Sequence, residues 1–575
     1  MTYIPALCAA FEDSRFAALR TIRNVILPAG LAVLLAAVSL WMFTRHNDFP
    51  LDYHPDEQSK VAQLIDPAQP RNFNHPLLML EAANAVRAWL GIPNEERTIA
   101  IAGRWSAAAL AAIAVLAFAV TGYSVGGYPG LLVCGSIVAL CPPLDVNAHY
   151  FKEDTALLAG LAVAIMGARW LFATDRQWRQ WSAAAVMGIG CGAAASGKYV
   201  GVVAVAPCLV AAFLAPGFEL PLLAGRVVGF VLAAAAAMLA INARAFQMLF
   251  PPRLVPAASH AIIAEFFHAT GSHEGLALTL PNAFSLQVSI SDLMPHVVVC
   301  LVVGPVLLAR RQMLTRWCAT LGLFLLTFAA MLSYSAFPFP RYALPLTVLL
   351  YFTAGQLAVG VLQRMSQIRW LKLATFAIFL GGVVALQGAR CWHLNQQFAD
   401  DSRQRLREWV AQNLGGTSTV LAEYYTGLAG TGDPWRYPKQ GEIRAQILEV
   451  ASAADGAATI DRLREKGIDY VAVSALRFER YFRHGIHAVS REGQQELAQH
   501  QVFYRELPVH AELVWSSAPS PPNHAYTDPE LRVYRLPKPA VTATGEAHYN
   551  TSSAVAGDRG AGQGGGVRDA STVTP

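Results

Sequence analysis

The sequence predicts a mainly α, polytopic membrane protein that carries a soluble α/β domain toward its C-terminal end. Of its 575 residues 54% are hydrophobic and only 14% charged, which places most of the chain in lipid. Apolar runs close to the ~20 residues needed to cross hydrocarbon recur as far as residue 390. From 391 onward alternating and helical patterns of a water-soluble domain replace them. The net charge of +5 is small and lies in short clusters, which excludes a nucleic-acid surface and suits membrane lipids as the surrounding partner. The eight cysteines show no CxxC spacing; six of them lie in or beside apolar runs and read as small core residues.

Residues 1–24 form an expected cytoplasmic N-terminus, with Arg15, Arg20 and Arg23 ahead of the first apolar run at 25–43. The positive-inside rule then sends the following loop, 44–97, to the outer face. Within it LLMLEAANAVRAWL is too short to span and reads as an amphipathic helix at the interface. Further runs fall near 98–121, 128–144, 154–173, 181–197, 199–216, 221–243, 294–310, 317–337, 341–362 and 371–390, for about eleven transmembrane helices in all. Alternate threading puts the basic clusters Arg176–Arg179, Arg310–Arg316 and Arg364–Lys372 inside. It puts the 145–154 stretch, the 244–293 loop and the Phe337–Arg341 turn outside. An odd span number sends the α/β domain, 391–537, to the same outer side. DSRQRLREWVAQNL and TIDRLREKG read as helices there; TVLAEYY, IDYVAVSA and LRVYRLP read as strands. The Gly-rich tail, 538–575, has no core-forming pattern and is expected to be disordered.

Chemistry is sought where four polar segments meet on the outer face. Asp52-Tyr53-His54-Pro55-Asp56-Glu57 follows the first span, and carboxylates at that depth are costly unless they have a task. Pro-Asp-Glu is also an ordinary helix opening. His149-Tyr150-Phe151-Lys152-Glu153-Asp154 precedes a long apolar helix, where Asp154 would also serve as a helix cap. A carboxylate within reach of a hydroxyl supplies a general base. Two facing carboxylates, Asp56 and Asp154, would also suit a divalent ion such as Mg or Mn, although no spacing demands one. Lys198 in Ser196-Gly197-Lys198-Tyr199-Val200-Gly201, Arg104 and Arg341 are cations in apolar surroundings, which either snorkel or meet an anion. His54, His75, His268 and His273 are candidates for the acceptor side.

These motifs resemble the GT-C-fold glycosyltransferases of family 39, the group of the protein O-mannosyltransferases and the bacterial lipid A aminoarabinose transferases. The resemblance rests on the acidic pair after the first span, the acid before the fourth, Arg341-Tyr342-Ala343-Leu344-Pro345, and Ser196–Gly201. The trailing domain, with REWVAQNL and GIDYVAVSA, is similar to the periplasmic α/β domain of bacterial relatives. The resemblance implies a GT-C-like catalytic domain at 25–390 in a bacterial inner membrane. It also implies sugar transfer from a polyprenyl-phosphate-linked donor to a lipid, glycan or protein acceptor, with inversion. Asp56 would be the base with Glu57 beside it, and Asp154 or Glu153 the second acid. Lys198, Arg341 and Arg104 would hold the donor phosphate. A transporter or flippase of lipid-linked sugars is the alternative; its charged groups belong at the membrane midplane, and no internal repeat supports it.

Overall fold

The computed structural model describes residues 22–66, 75–244, 271–309, 316–365, 369–428, 443–456, 459–517 and 527–537. His268, most of the 244–293 loop and the 538–575 tail lie outside these residues. Each expected apolar run falls on helical segments. The chain order is α1 (Leu27–Phe43), α2 (Pro55–Ile65), α3 (Leu78–Leu90), α4 (Glu96–Ala139), α5 (Pro142–Ala148), α6 (Asp154–Phe172), α7 (Gln177–Gly197), α8 (Val205–Leu214) and α9 (Leu220–Ile241). Then come α10 (Phe284–Ser291), α11 (Pro295–Ala309), α12 (Arg316–Ser333), α13 (Leu344–Arg364) and α14 (Arg369–Ala399).

Among the described residues seven helices are long and apolar enough to cross a membrane, or eight if the α10–α11 pair, bent by 106°, makes one more. That is below the expected eleven for physical reasons. The 44-residue α4 is counted once, yet it leaves helical geometry at Gly126 and Gly127, the latter with φ 61°. A side chain on Gly122 would collide with the Gly130 carbonyl, so its two limbs fold back against each other as a hairpin. α7 opens on Gln177-Trp178-Arg179-Gln180, which dilutes its hydropathy. The segment Tyr199–Leu214 is short. Large apolar side chains stand exposed on outward faces, among them Val306, Leu326 and Ile378 at 69%, 68% and 75%. Such faces belong in contact with lipid, since a water-soluble fold seldom leaves them open. The protein is a multi-pass membrane protein.

The stretch expected as a short amphipathic helix forms α3, which ends at Gly91 in the left-handed region, a stop that glycine adopts without strain. Its Trp89 is 83% exposed, suited to the headgroup layer.

Past α14, Asp401 caps a helix at Ser402–Asn413 by accepting from the Arg403 amide. A two-stranded antiparallel pair joins β1 (Leu276–Leu278) to β5 (Ile486–Ala488). The main sheet has five strands in the order β3-β2-β4-β7-β6: β2 (Thr419–Glu423), β3 (Gln446–Val450), β4 (Tyr470–Ser474), β6 (Glu512–Ser516) and β7 (Leu531–Arg535). β2 pairs in parallel with β3 and β4, and β7 runs antiparallel between β4 and β6. The helices Ile460–Glu465 and Arg491–His510 cover it, with Leu463, Leu497, Phe503 and Leu507 buried against Val471 and Val473. β2, β4 and β7 match the expected strands; β3, β6 and the β1–β5 pair do not appear in the sequence reading. Phe337 and Phe339, from the turn before α13, lie in the same apolar cluster as this α/β part. The described residues belong to one compact unit that ends at Pro537.

Candidate active site

The first acidic segment forms the start of α2. The His54 Nδ1 accepts from the Asp56 amide at 3.2 Å, Pro55 occupies the first turn, and both acids sit where the helix dipole favours negative charge. The two acids then part. Glu57 turns inward, fully buried, and meets Arg104 at 2.6 Å. It also accepts from the Phe151 amide at 2.7 Å. The Arg104 guanidinium spends its other donors on the carbonyls of Asn47 and Phe49, at 2.9 and 2.7 Å, and stacks on the Phe49 ring. Arg104 therefore does not join the donor-phosphate group expected of it. It ties the segment after α1 to α4, because a buried guanidinium is stable only when charge and hydrogen bonds are both matched.

Asp56 turns the other way. Its Oδ2 lies 2.5 Å from Lys152 Nζ and 3.3 Å from Arg341 Nη2, and every polar partner of the side chain among the described residues meets that one oxygen. The side chain is 37% exposed. Burial works against the charged carboxyl, but Lys152 and Arg341 outweigh it and hold Asp56 well below the usual carboxylate range. Lys152 also reaches Glu153 at 3.3 Å, and Lys60, one turn beyond Asp56, reaches Glu153 at 3.0 Å. Glu153 is thus enclosed by two lysines.

Asp154 begins α6 and does not cap it; its Oδ1 pairs with Lys198 Nζ at 2.9 Å. Oδ2 is buried with no hydrogen-bond partner among the described residues. Lys198 stands in extended geometry between α7 and the 3₁₀ turn Tyr199–Ala204, with its ammonium 4.1 Å from the centre of the Tyr342 ring. Glycines bring the two residues together. A Cβ on Gly197 would collide with the Leu157 backbone, and one on Gly160 with Ala194, so α6 and α7 pack with their backbones in contact.

Asp154, Lys198, His75, Ser335 and Tyr342 line one part of a cavity. Leu157, Val202, Val203, Phe328, Met331 and Leu332 line the rest. Burial, with repulsion from Lys152, Lys60 and Lys198, drives the His75 imidazole down to about 3 against the pull of Glu153, so it is neutral at physiological pH. Counting Lys60, Lys152, Lys198 and Arg341 against Asp56, Glu153 and Asp154, the assembly carries one positive charge in excess. An anion would balance it.

The structure thus brings Asp56, Glu153, Asp154, Lys198, Arg341 and His75 together, and leaves Glu57 and Arg104 behind as a pair. His54 is buried as the cap of α2. His273 stacks on Phe337, with centroids 5.5 Å apart, beside Glu274 and the α/β part. Lys60 and Lys152 carry half the cationic charge of the site, and the sequence reading gave neither a role. The spacing of Asp56 and Lys60, four apart on a helix, was the available signal. Asp56 and Asp154, the pair considered for a divalent ion, are each engaged by basic side chains. Among the described residues the ligand atoms that group for a metal are those of Asp455, Glu496 and His500 in the α/β part, all within 4.8 Å of one another.

No family model matches this chain, and no curated protein matches it in sequence. Solved structures do. The chain is similar to ArnT from Cupriavidus metallidurans bound to undecaprenyl phosphate, at 14% identity over 91% of this chain and 100% of that one, with a TM-score of 0.47. It is similar to the archaeal oligosaccharyltransferase AglB from Archaeoglobus fulgidus, in complex with an inhibitory peptide and a dolichol-phosphate, at 10% identity over 85% and 73%, TM-score 0.48. A protein O-mannosyltransferase complex of S. cerevisiae bound to the sugar donor matches at 17% identity over 40% of this chain and 35% of that one, TM-score 0.34.

Proposed function

We propose that this chain is a GT-C-type membrane glycosyltransferase that takes a sugar from a polyprenyl-phosphate donor and passes it to an acceptor hydroxyl on the outer face. The observation that carries the reading is the cavity. One part presents Lys198, Asp154 and His75, and the remaining wall is apolar and built by helices. That shape fits a phosphate joined to a long hydrocarbon chain and fits a free nucleotide sugar poorly. A phosphate oxygen about 4 Å from Lys198 would gain about 4 kcal/mol at an effective dielectric near 20, before desolvation. Arg341, one residue from Tyr342 and buried, adds a second cation.

In this reading Asp56 Oδ1 takes the proton of the acceptor hydroxyl as its oxygen bonds to the anomeric carbon. The bond from that carbon to the phosphate oxygen breaks, and Lys198 with Arg341 stabilises the departing phosphate. A single displacement of this kind inverts the anomeric configuration. Asp56, flanked by two cations, is a weak base until one of them turns to the phosphate. A second assignment of the base has its own observation: Asp154 Oδ2 is unpartnered among the described residues and its side chain lines the cavity.

The test follows release of polyprenyl phosphate from a panel of radiolabelled polyprenyl-phosphate sugars by purified protein in nanodiscs, with and without a crude envelope extract as acceptor. Asp56→Asn should lower the rate by about 10²–10⁴-fold, with Asp154→Asn milder; the reverse order makes Asp154 the base. A chelator arm asks whether a divalent cation takes part. Folded wild-type protein that moves lipid-linked sugars across a vesicle membrane without releasing phosphate would overturn the transferase reading.

A further inference from the structure

We propose that Arg403 and Thr527, at the root of the α/β part, are positioning residues that hold the two acidic segments of the active site in register; the inference rests on the transferase reading above. Tyr53 lies three residues before Asp56, and Tyr150 two before Lys152. Both rings are buried, and both reach residues of the C-terminal part. The Arg403 guanidinium lies 3.8 Å from the centre of the Tyr53 ring and donates from Nη1 to the Tyr53 carbonyl at 3.2 Å. It is held by a two-pronged pair with Asp401, at 2.8 and 2.9 Å. Thr527 Oγ1 meets the Tyr150 hydroxyl at 2.7 Å.

One lock joins the two anchors. The Asp528 amide donates to Asp401 Oδ2 at 2.6 Å, and Asp528 Oδ1 accepts from the Ser402 amide and from Arg405, at 2.8 and 2.7 Å. Asp528 adopts a φ of 45°, uncommon for a residue with a side chain, and that turn places Thr527 over Tyr150. Beneath the anchors Phe49 stacks on Tyr53 and meets Tyr150 edge-on, with centroids 5.5 and 5.4 Å apart, and Phe398 closes the cluster. At the site itself the two segments are tied by the Phe151 amide on Glu57 and by two charged contacts on long side chains, Lys152 with Asp56 and Lys60 with Glu153. The anchors add a second hold on that register from behind, through groups that touch no substrate. A displacement of about 1 Å at reacting groups is enough to cost on the order of 10²-fold in rate.

The experiment compares Arg403→Lys, Thr527→Val, Tyr150→Phe and the Thr527→Val/Tyr150→Phe double variant of the full chain in nanodiscs. Lysine keeps the charge of Arg403 and loses the fork that binds Asp401 and Tyr53 together. The expected result is a kcat at least about ten-fold down, with the donor KM within about two-fold of wild type. The double variant should be no slower than the worse single one, as for two groups acting through one contact. Hydrogen exchange, which needs no turnover, should rise in the segments 53–60 and 150–154 of Arg403→Lys, with the remaining helices protected. Unchanged exchange in both segments overturns the proposal whatever the activity. So does a loss of rate that follows a lowered thermal midpoint and returns on cooling. Wild-type protein that releases phosphate from no donor, together with loosened segments in Arg403→Lys, sinks the transferase reading and leaves the anchoring in place.

Discussion

Arg104 and Lys198 look alike along the chain, each a cation in apolar surroundings, and the fold gives them different tasks. Arg104 is wholly buried against Glu57 and two carbonyls, whereas Lys198 faces a cavity with a single carboxylate for company. Removing one partner of a buried pair strands the other charge, which costs about 3–5 kcal/mol. Arg104→Met should therefore lower the thermal midpoint strongly, and Glu57→Gln in the same chain should recover part of the loss while still accepting from the Phe151 amide. Protein that survives should keep its donor KM. Lys198→Met strands the buried Asp154 carboxylate and should lower the midpoint too; what sets it apart from Arg104→Met is a donor KM raised at least ten-fold. His75 supplies a pH signature. Its folded value near 3 lies below the ordinary 6.5, so between those values the unfolded chain holds the extra proton and acid weakens the fold, at up to about 1.4 kcal/mol per unit. Asp56, displaced downward from 3.8, adds a loss only below about pH 4. The thermal midpoint should fall from pH 7 to pH 5 and do so less steeply in His75→Gln; equal slopes would remove His75 as the cause.

At the scale of elements, the helices and the acidic segments were legible because each is written locally. An apolar run of spanning length needs no partner to be recognised, and neither does an acid at a membrane exit. The partners of those acids were not legible. Lys60 and Lys152 take their meaning from Glu153 and Asp56 across a fold that brings α2 beside the start of α6, and the pairing of Glu57 with Arg104 spans 47 positions. The strands β3 and β6 escaped for a similar reason: both are sheet edges with mostly exposed side chains, so they lack an alternating apolar face. Glycine spacing in α7 was visible as composition, but its purpose appears only in the contact with α6. Since Gly197 lies against the Leu157 backbone, Gly197→Leu must part the helices just where Lys198 meets Asp154. Donor affinity should drop at least ten-fold in binding measurements, whereas Gly381→Leu, on a face with open space around it, should leave it unchanged.

At the scale of the whole molecule, the question is which way the site faces. α6 and α7 run antiparallel, since Gly160 packs on Ala194 and Gly167 on Met187; Asp154 and Lys198 therefore share one end and Arg176 with Arg179 lies at the other. Two further contacts gather basic residues at helix ends. Arg316, at the start of α12, donates to the Leu214 carbonyl at the end of α8, and Arg364, at the end of α13, donates to the Leu307 carbonyl near the end of α11. α13 has Arg341 just before its start and Arg364 at its last residue, so it too carries the site at one end and a basic residue at the other. Clusters of Lys and Arg are retained on the cytoplasmic side, which predicts an outer-face position for the site and for the α/β part that packs on the Phe337–Phe339 turn. Single cysteines introduced into a cysteine-free background test this in intact cells. Asp175→Cys should react with a membrane-impermeant maleimide only after lysis, and Val489→Cys, exposed beside β5, should react before it. Labelling in the reverse order would place the site on the cytoplasmic face, where a donor presented at the outer leaflet could not reach Lys198.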